Sequence, residues 1–409
     1  MIKLFSYLKS FKTATFKDTS VVFVGNTLSS VLGAVFFFIL ARKAGPAVFG
    51  IFSIATAVAI TVVDLFDIAI NNAIISFGSK VGWRALALRN GLKRKIFFSI
   101  VFSILLRICI PVIIWMLGKP DIAYALKISI WLIPAKAIFS FVKTALQAGK
   151  EFFLDSTVDT LSSVFRLAGF FLLWMIGLTP LASALWGYIL GLLLSTVIAL
   201  PKVKELVSVE IEDNFNHKEF IVYQSWMTFA FAASSVSSRL DIFFLTRMVS
   251  LEAVGWYQAA FRLYMPVQQL ASSISRVLAP RFASFSNRKE SKIYLRKALF
   301  LSGGLAVSMF LLVPVYPWAI KLLYGSDFQN SVIFAYGLFG YFSLFLLSTP
   351  WWSRLLYYYS NARRFAILSV LQLIVLAVAI PFAISIFGGV GVVVALFISL
   401  LFSTVLAAI

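Results

Sequence analysis

The chain has 409 residues, of which 61% are hydrophobic and only 13% are charged, and its formal net charge is +20. Soluble domains carry about a quarter charged residues, so this composition excludes an ordinary water-soluble protein. The positive charge alone would also fit a nucleic-acid-binding protein, so the position of each Lys and Arg has to be considered.

Apolar stretches of about 20 to 30 residues follow one another along the chain, and roughly 20 residues cross the hydrocarbon layer as a helix. They lack the alternation of β-barrel strands. The stretches predict transmembrane helices near residues 20–42, 48–72, 96–118, 122–149, 152–177, 180–201, 219–247, 252–284, 298–320, 331–359, 363–387 and 389–409. The predicted fold class is therefore an all-α membrane protein of about 12 transmembrane helices.

The segments outside these spans are short. Residues 1–19 carry four lysines among apolar residues and no small-residue cleavage site, which is typical of an amphipathic basic leader at the cytoplasmic interface. The single cysteine, Cys109, excludes an internal disulfide. The single histidine, His217, lies in a basic connector, so we expect neither a metal site nor catalytic residues.

The basic residues are distributed unequally between the two sides of the membrane. If the N-terminus is cytoplasmic, the leader and the even-numbered turns hold 23 Lys and Arg, whereas the odd-numbered turns hold five. This asymmetry predicts that both termini are cytoplasmic. The positive charge then reflects topology and contact with anionic lipids, not nucleic-acid binding.

A short repeat divides the chain into halves. Leu40-Ala-Arg42 and Val48-Phe-Gly50 recur as Leu245-Thr-Arg247 and Ala253-Val-Gly255, each 205 residues further on. Internal repeats of this kind are typical of transporters. The repeat predicts two pseudo-symmetric six-helix lobes, at 20–201 and 219–409, with a cytoplasmic linker at 202–218.

Charged residues inside spans are costly and usually have a partner or face water. The cations are Arg107, Lys127, Lys136, Lys143, Arg166, Arg239, Arg262 and Arg354, and the acids are Asp64, Asp67, Asp155, Asp159 and Asp241. Lys127, Lys143 and Arg354 are near span ends, where long side chains can snorkel to the interface. For Asp155 and Asp159 we expect a structural ion pair with Lys143.

The remaining cations lie deeper in the membrane. Lys136 and Arg166 are near the middle of the fourth and fifth spans, and Arg239 and Arg262 are in the outer half of the seventh and eighth, where Asp241 is at a depth that permits pairing with Arg262. The excess of cations predicts an anionic ligand, because guanidinium groups suit bidentate phosphate contacts.

Several spaced motifs resemble the polysaccharide-biosynthesis (O-antigen flippase) branch of the multidrug/oligosaccharidyl-lipid/polysaccharide (MOP) exporter superfamily. They are Leu40 to Gly50, Asp67-Ile-Ala-Ile, Ala73-Ile, Asp241 to Tyr257, Leu278-Ala-Pro280-Arg and Leu323-Tyr-Gly325 with Phe328. The resemblance implies a V-shaped transporter like the multidrug (MATE) exporters of the same superfamily. It also implies movement of undecaprenyl-diphosphate-linked oligosaccharide to the periplasmic leaflet of the bacterial inner membrane. Ala69 departs from the pattern, since a glycine is usual after that aspartate.

On this resemblance, Arg239, Asp241 and Arg262 would face a central cavity, and Arg42 and Arg247 would flank its periplasmic gate. Our hypothesis is alternating access, with Arg262, Arg239, Lys136 and Arg166 holding the diphosphate.

No cofactor is expected beyond a coupling Na⁺ or H⁺, for which Asp64, Asp67 and Asp241 are candidates. The acids of the second span could instead meet a Lys or Arg from a connector.

The resemblance leaves other functions open. A lipid II flippase of the same superfamily usually has two more helices, and a multidrug exporter would favour an acidic cavity. A membrane polysaccharide polymerase or ligase, the alternative from another class, usually carries a large periplasmic loop, whereas the longest odd-numbered turn here has about ten residues. The expected partners are the lipid-linked glycan, anionic lipids, and a polysaccharide polymerase with its assembly proteins. We expect a monomer that binds no nucleic acid.

Overall fold

The computed structural model describes residues 2–78, 81–208, 217–285, 287–359 and 362–408, and within these ranges every regular element is helical. The α-helices are α1 (Ile2–Gly78), α2 (Arg84–Leu117), α3 (Ala123–Ser129), α4 (Leu132–Ala148), α5 (Phe152–Met175), α6 (Pro180–Val207), α7 (His217–Ser237), α8 (Leu240–Met248), α9 (Leu251–Leu263), α10 (Met265–Ser284), α11 (Arg288–Ser308), α12 (Tyr316–Tyr324), α13 (Ser331–Ser353), α14 (Ala362–Phe387) and α15 (Gly391–Ala408). Short 3₁₀ segments occur at Val81–Trp83, Pro120–Ile122, Met309–Val315, Ser326–Phe328 and Gly388–Val390, and a π-helical turn at Arg354–Tyr358.

The predicted spans coincide with these helices, which confirms the all-α membrane fold class of about twelve spans. Eight helical segments in the described ranges are long and apolar enough to cross a membrane, and two of them, Val24–Gly78 and Ile367–Ala408, each hold two predicted spans. The seventh span is broken at Arg239 and the eighth at Tyr264. The basic leader joins the first span without interruption, because α1 begins at Ile2. Its side chains lie outside the described part.

The turn between the first two spans is made by two residues inside α1. Gly45 has a φ of 76° and a ψ of 172°, a conformation that residues with a Cβ rarely adopt. Pro46 follows, and its fixed φ suits the first position of a helix. Residues 2–44 and 46–78 are therefore two helical arms joined by a sharp bend.

The helices form two compact units. The first comprises Met1–Leu40, Ala55–Ile114 and Asp121–Ala232, and the second comprises Ala41–Ile54, Trp115–Pro120 and Ala233–Ile409. The first bend of the chain is thus packed with the second unit. The two six-helix lobes and the linker predicted from the repeat are a division by chain order, and they differ from these packing units. The division into lobes stays a prediction. Of the linker, residues 202–207 continue α6, and residues 209–216 lie outside the described ranges.

In the first unit, α5 and α6 meet through small residues. A Cβ on Gly191 would lie 2.6 Å from the carbonyl oxygen of Ser162, and one on Gly187 would lie 2.8 Å from the amide nitrogen of Phe170. The two glycines are four residues apart and share one face of α6. Close backbone approach of this kind is a usual way for membrane helices to pack. It fixes α5, and with it Arg166, against α6.

In the second unit, α13 is central. The Tyr264 hydroxyl donates to the carbonyl oxygen of Ala335 at 2.6 Å, and the Tyr264 ring stacks on Phe342 with centroids 4.8 Å apart. The hydroxyls of Ser275 and Ser353 are 3.2 Å apart. These contacts tie α9 and α10 to α13.

Candidate functional site

Three helices of the first unit share a buried polar network around Asp67. Lys95 on α2 places its Nζ 2.7 Å from the Asp67 carboxylate, and the two residues are only 1% and 4% exposed. Asn71, one turn further on α1, and Ser140 on α4 donate to the same carboxylate at 2.9 and 2.5 Å. The Thr144 hydroxyl donates to the side-chain oxygen of Asn71 at 2.9 Å. Every side chain in this network has a hydrogen-bond or ion-pair partner, as a buried ion pair requires.

Lys95 is the connector cation that pairs with Asp67. The sequence places it at the end of the basic connector before the third span, among the cations counted on the cytoplasmic side, and its side chain is buried against Asp67. The possibility that an acid of the second span meets a connector cation is confirmed for Asp67. Asp64, one turn earlier on α1, is half-buried, and its coupling role stays a prediction.

A second ion cluster joins α4 and α5. Lys143 Nζ is 3.7 Å from the Asp155 carboxylate and also contacts Asp159. Gln147 Nε2 donates to Asp155 at 3.3 Å. This arrangement confirms the structural ion pair predicted across the Gly149 turn.

The two other cations expected to snorkel behave differently. Lys127 is exposed, as expected. Arg354 is only 8% exposed, donates from Nε to the Ser291 hydroxyl at 3.0 Å and lies 5.2 Å from the centre of the Tyr359 ring. The snorkelling prediction is wrong for Arg354, because the π-helical turn at Arg354–Tyr358 places its side chain inside the unit.

Arg166 is the buried cation at the α5–α6 contact. It is 9% exposed, and no carboxylate within the described ranges lies at ion-pair distance. The guanidinium carbon lies 4.0 Å from the centre of the Tyr188 ring on α6 and 5.7 Å from that of Phe36 on α1. Its Nε is buried and finds no hydrogen-bond acceptor among the described groups. Gly33 adjoins it, since a Cβ there would lie 4.0 Å from an Arg166 Nη.

Lys136 is the other deep cation of the first unit. It is half-buried on α4, one turn before Ser140 of the Asp67 network. Its Nζ lies 5.5 Å from the centre of the Phe139 ring. Cations over aromatic faces are stabilised electrostatically while their N–H groups stay available.

In the second unit, Asp241 lies in the first turn of α8 and is 6% exposed. It accepts hydrogen bonds from the Tyr257 hydroxyl on α9 and, at 2.8 Å, from the Ile242 amide. The described contacts of Asp241 do not include the ion pair with Arg262 that their predicted depths allow. The sequence did not predict Tyr257 as the partner of Asp241, although the two residues are the first and last residues of one family motif, Asp241 to Tyr257.

The two predicted site arginines of the second unit, Arg239 and Arg262, are half-buried. Arg239 lies at the break between α7 and α8, and its Nε has no hydrogen-bond acceptor in the described part of the chain. The Arg262 guanidinium carbon on α9 lies 5.7 Å from the centre of the Phe49 ring. Arg239 and Arg262 both belong to the second unit. Their contact with the substrate stays a prediction.

The predicted gate residues are both exposed, and both belong to the second unit. Arg42 donates to the carbonyl oxygen of Leu322, one of the last carbonyls of α12, where a cation is favoured. The Arg247 guanidinium fills the space that a Cβ on Gly118 would occupy. Their role in gating stays a prediction.

Metal ligands are not clustered in the described residues: no group of three or more His, Cys, Asp or Glu side chains could hold a metal ion there. Cys109 is exposed on α2.

Comparison with known proteins decides the family. The sequence profile described as polysaccharide biosynthesis protein matches residues 15–286, well over half of the chain. The chain belongs to the polysaccharide biosynthesis protein family. A family relative from Shigella flexneri, provisionally named an O-antigen transporter, is 22% identical over 303 residues, or 71% of this chain and 72% of the relative. The resemblance noted in the sequence is confirmed.

The fold of this polysaccharide biosynthesis protein is similar to the folds of solved flippases and MOP superfamily transporters. The lipid II flippase MurJ, in an inward closed conformation, matches 94% of this chain and 86% of its own with a TM-score of 0.76 and 17% identity. An inward-facing MATE multidrug resistance transporter of the MOP superfamily matches 95% of this chain and 96% of its own, with a TM-score of 0.69 and 13% identity. A MOP superfamily transporter from Pyrococcus furiosus matches 95% of this chain and 93% of its own, with a TM-score of 0.66 and 14% identity.

The named relatives are transporters and flippases, which confirms the prediction that this polysaccharide biosynthesis protein is not an enzyme. The matched family range includes the deep cations of both units, Lys136, Arg166, Arg239 and Arg262.

Proposed function

We propose that the protein is a flippase that moves undecaprenyl-diphosphate-linked oligosaccharide, an O-antigen or other polysaccharide repeat unit, from the cytoplasmic to the periplasmic leaflet of a bacterial inner membrane. Family membership, the MOP fold and the O-antigen transporter relative support a transporter of lipid-linked glycans. A diphosphate and a hydrophilic glycan cannot cross hydrocarbon unaided, whereas a prenyl chain can stay in the lipid.

The observation that carries the proposal is Arg166. A buried guanidinium with no acid beside it is costly, and the cost falls when an anion binds. The Tyr188 ring covers one face of the guanidinium, so its N–H edge stays available for a phosphate. We assign Arg166 and Lys136 of the first unit, and Arg239 and Arg262 of the second, as diphosphate contacts.

Transport proceeds in this proposal by alternating access and is coupled to H⁺ or Na⁺ through Asp64, Asp67 or Asp241. Both termini are cytoplasmic, and Arg42 and Arg247 flank the periplasmic exit. The basic connectors contact anionic lipids, and a polysaccharide polymerase receives the flipped unit.

The test is a flipping assay in proteoliposomes with fluorescent undecaprenyl-diphosphate-linked oligosaccharide. Hydrogen bonds to charged groups contribute about 1.5–3 kcal/mol, so Arg166→Met should slow flipping roughly 10- to 150-fold. Arg107→Met is the matched control, because Arg107 is exposed on α2. The absence of flipping by the wild-type protein would refute the proposed function. Unchanged flipping in the Arg239→Met/Arg262→Met double variant would refute the cationic mechanism.

Two transporters of the same fold are the competing candidates. The MurJ match favours lipid II as an alternative substrate, and the MATE matches favour a cationic drug. The deep cations argue against a cationic drug, because like charges repel. Competition of unlabelled lipid II or of a cationic dye with the glycan substrate in the same assay separates the three.

A further inference from the structure

Helix α2 of the first unit has a face that the rest of the described chain leaves uncovered. Of the eight membrane-spanning segments in the described ranges, this helix is the least buried. Leu106 and Ile110 point into the unit and are only 4% and 2% exposed. The opposite side recurs every four residues and is more than half exposed at each position, which gives Ile100, Ile104, Ile108 and Val112. Such a face contacts either lipid or another transmembrane helix.

One charged residue, Arg107, lies at the edge of this exposed face. It follows the inward Leu106 and precedes the outward Ile108, and its own side chain is exposed. Among the described residues, none gives Arg107 a hydrogen bond or an ion pair. A cation inside a membrane span is costly unless a partner or water satisfies it. Arg107 therefore calls for a partner outside the described chain.

The depth of Arg107 does not fit a lipid phosphate as that partner. It lies twelve residues after Lys95 and twelve before Lys119, the cations that flank the span. Twelve helical residues rise ~18 Å, so Arg107 is near the middle of the hydrocarbon layer. An arginine side chain is shorter than this rise, so its guanidinium cannot snorkel to either surface.

A second copy of this chain does not supply the missing carboxylate either. The acids within the spans all interact with other groups of the chain, and none is exposed; they are Asp64, Asp67, Asp155, Asp159 and Asp241. A symmetric dimer through this face would instead bring the two Arg107 side chains toward each other, and like charges repel.

We propose that the exposed face of α2 binds a transmembrane helix of another membrane protein, and that this helix carries an Asp or Glu near its midpoint. A carboxylate at that depth is as costly alone as Arg107 is, so pairing satisfies both groups. The guanidinium–carboxylate pair sets the depth and rotation of the partner helix, and the row from Ile100 to Val112 packs against it. The proposal does not depend on the substrate that the protein transports.

The first experiment uses model transmembrane peptides as the probe. The full-length protein carries a donor fluorophore at its C-terminus and is reconstituted in phosphatidylcholine vesicles with acceptor-labelled, leucine-rich helices of about 20 residues. One peptide has a central Glu and the other a central Leu. Energy transfer should show at least tenfold tighter binding of the Glu peptide, equivalent to ~1.4 kcal/mol.

Three variants test whether Arg107 causes this preference. Arg107→Met should reduce binding of the Glu peptide to that of the Leu peptide, and Arg107→Lys should keep most of the preference because it keeps the charge. Lys127→Met is the matched control, since Lys127 is an exposed cation near a span end, and it should bind as the wild type does. Equal binding of the two peptides by the wild type, or an unchanged preference in Arg107→Met, would overturn the proposal.

The second experiment identifies the partner by photo-crosslinking in cells. A p-benzoylphenylalanine introduced at the exposed Ile104 should crosslink a membrane protein that has an Asp or Glu inside a transmembrane helix, whereas one at the buried Leu106 should not. The crosslink should disappear in Arg107→Met and when the partner's acid is changed to its amide. It should return when Arg107→Asp is combined with Arg in place of that acid.

Other occupants of the face are outcomes that contradict the proposal. Crosslinks only to phospholipid, only to a second copy of the chain, or to a protein without an acid in its transmembrane helices would overturn it. Neither experiment measures transport, so a protein that gives the expected results in both but does not flip the glycan refutes only the proposed function.

Discussion

Replacing Asp67 with Asn tests the buried network of the first unit. Asn keeps the shape of the side chain and can still accept a hydrogen bond from Ser140, but Lys95 is left buried without a carboxylate. Breaking a buried pair in this way costs about 3–5 kcal/mol. Lys95 can escape by losing its proton, which costs ~4.6 kcal/mol at pH 7, because the ordinary pKa of lysine is about 10.4 and each unit is worth 1.36 kcal/mol. The free energy of unfolding should therefore fall by about 3–5 kcal/mol.

The assay is reversible unfolding in mixed micelles, followed by tryptophan fluorescence. Asp67→Asn/Lys95→Met removes both charges and should recover most of the lost stability, since an apolar replacement of a buried pair is often neutral. Lys202→Met is the control, because Lys202 pairs with Glu205 at 3.0 Å on an exposed surface, where a pair contributes about 0–1 kcal/mol. A single variant no worse than this control, or a double variant as unstable as the single one, would refute the reasoning.

Three further substitutions test other contacts by the same unfolding measurement. Gly191→Ala should cost about 1–3 kcal/mol, because its Cβ would lie 2.6 Å from the Ser162 carbonyl oxygen; no loss would mean that α5 and α6 separate freely. Tyr257→Phe should cost about 1.5–3 kcal/mol by removing a donor to the buried Asp241, and a neutral result would contradict that hydrogen bond. Arg354→Met should be neutral or stabilising within about 1 kcal/mol, since a buried cation with no ion-pair partner among the described residues is replaced by an apolar side chain of similar length. A large loss there would show that its contacts outweigh its desolvation.

The positions of the helices could be predicted because they depend on local properties. A run of about 20 apolar residues must form a helix in lipid, where backbone groups have no other partner. Gly45 and Pro46 likewise predict the first bend from their own conformational limits. The ion cluster of Lys143 could also be predicted, because Asp155 and Asp159 follow a short turn after Lys143 and lie at a similar depth in the membrane.

Pairing between distant segments could not be derived in the same way. Whether Lys95 turns to solvent or to Asp67 depends on the rotation and depth of α2 against α1, which only helix packing determines. The same reason explains why Asp241 bonds with Tyr257 and why Arg354 is buried. A one-residue change in helix phase turns a side chain by about 100°, and hydropathy does not record that phase.

The sequence by itself determined a membrane protein of about twelve helices, its repeat of 205 residues and its excess of cations, because length, composition and spacing are readable along the chain. Tertiary structure decided which cations are paired. Within the described residues, it left Arg166 without a carboxylate at ion-pair distance and paired Lys95 with Asp67. It also showed that Gly50 and Gly255, related by the repeat, meet through their backbones. Each of these facts depends on how different helices pack against one another, which spacing along the chain does not record.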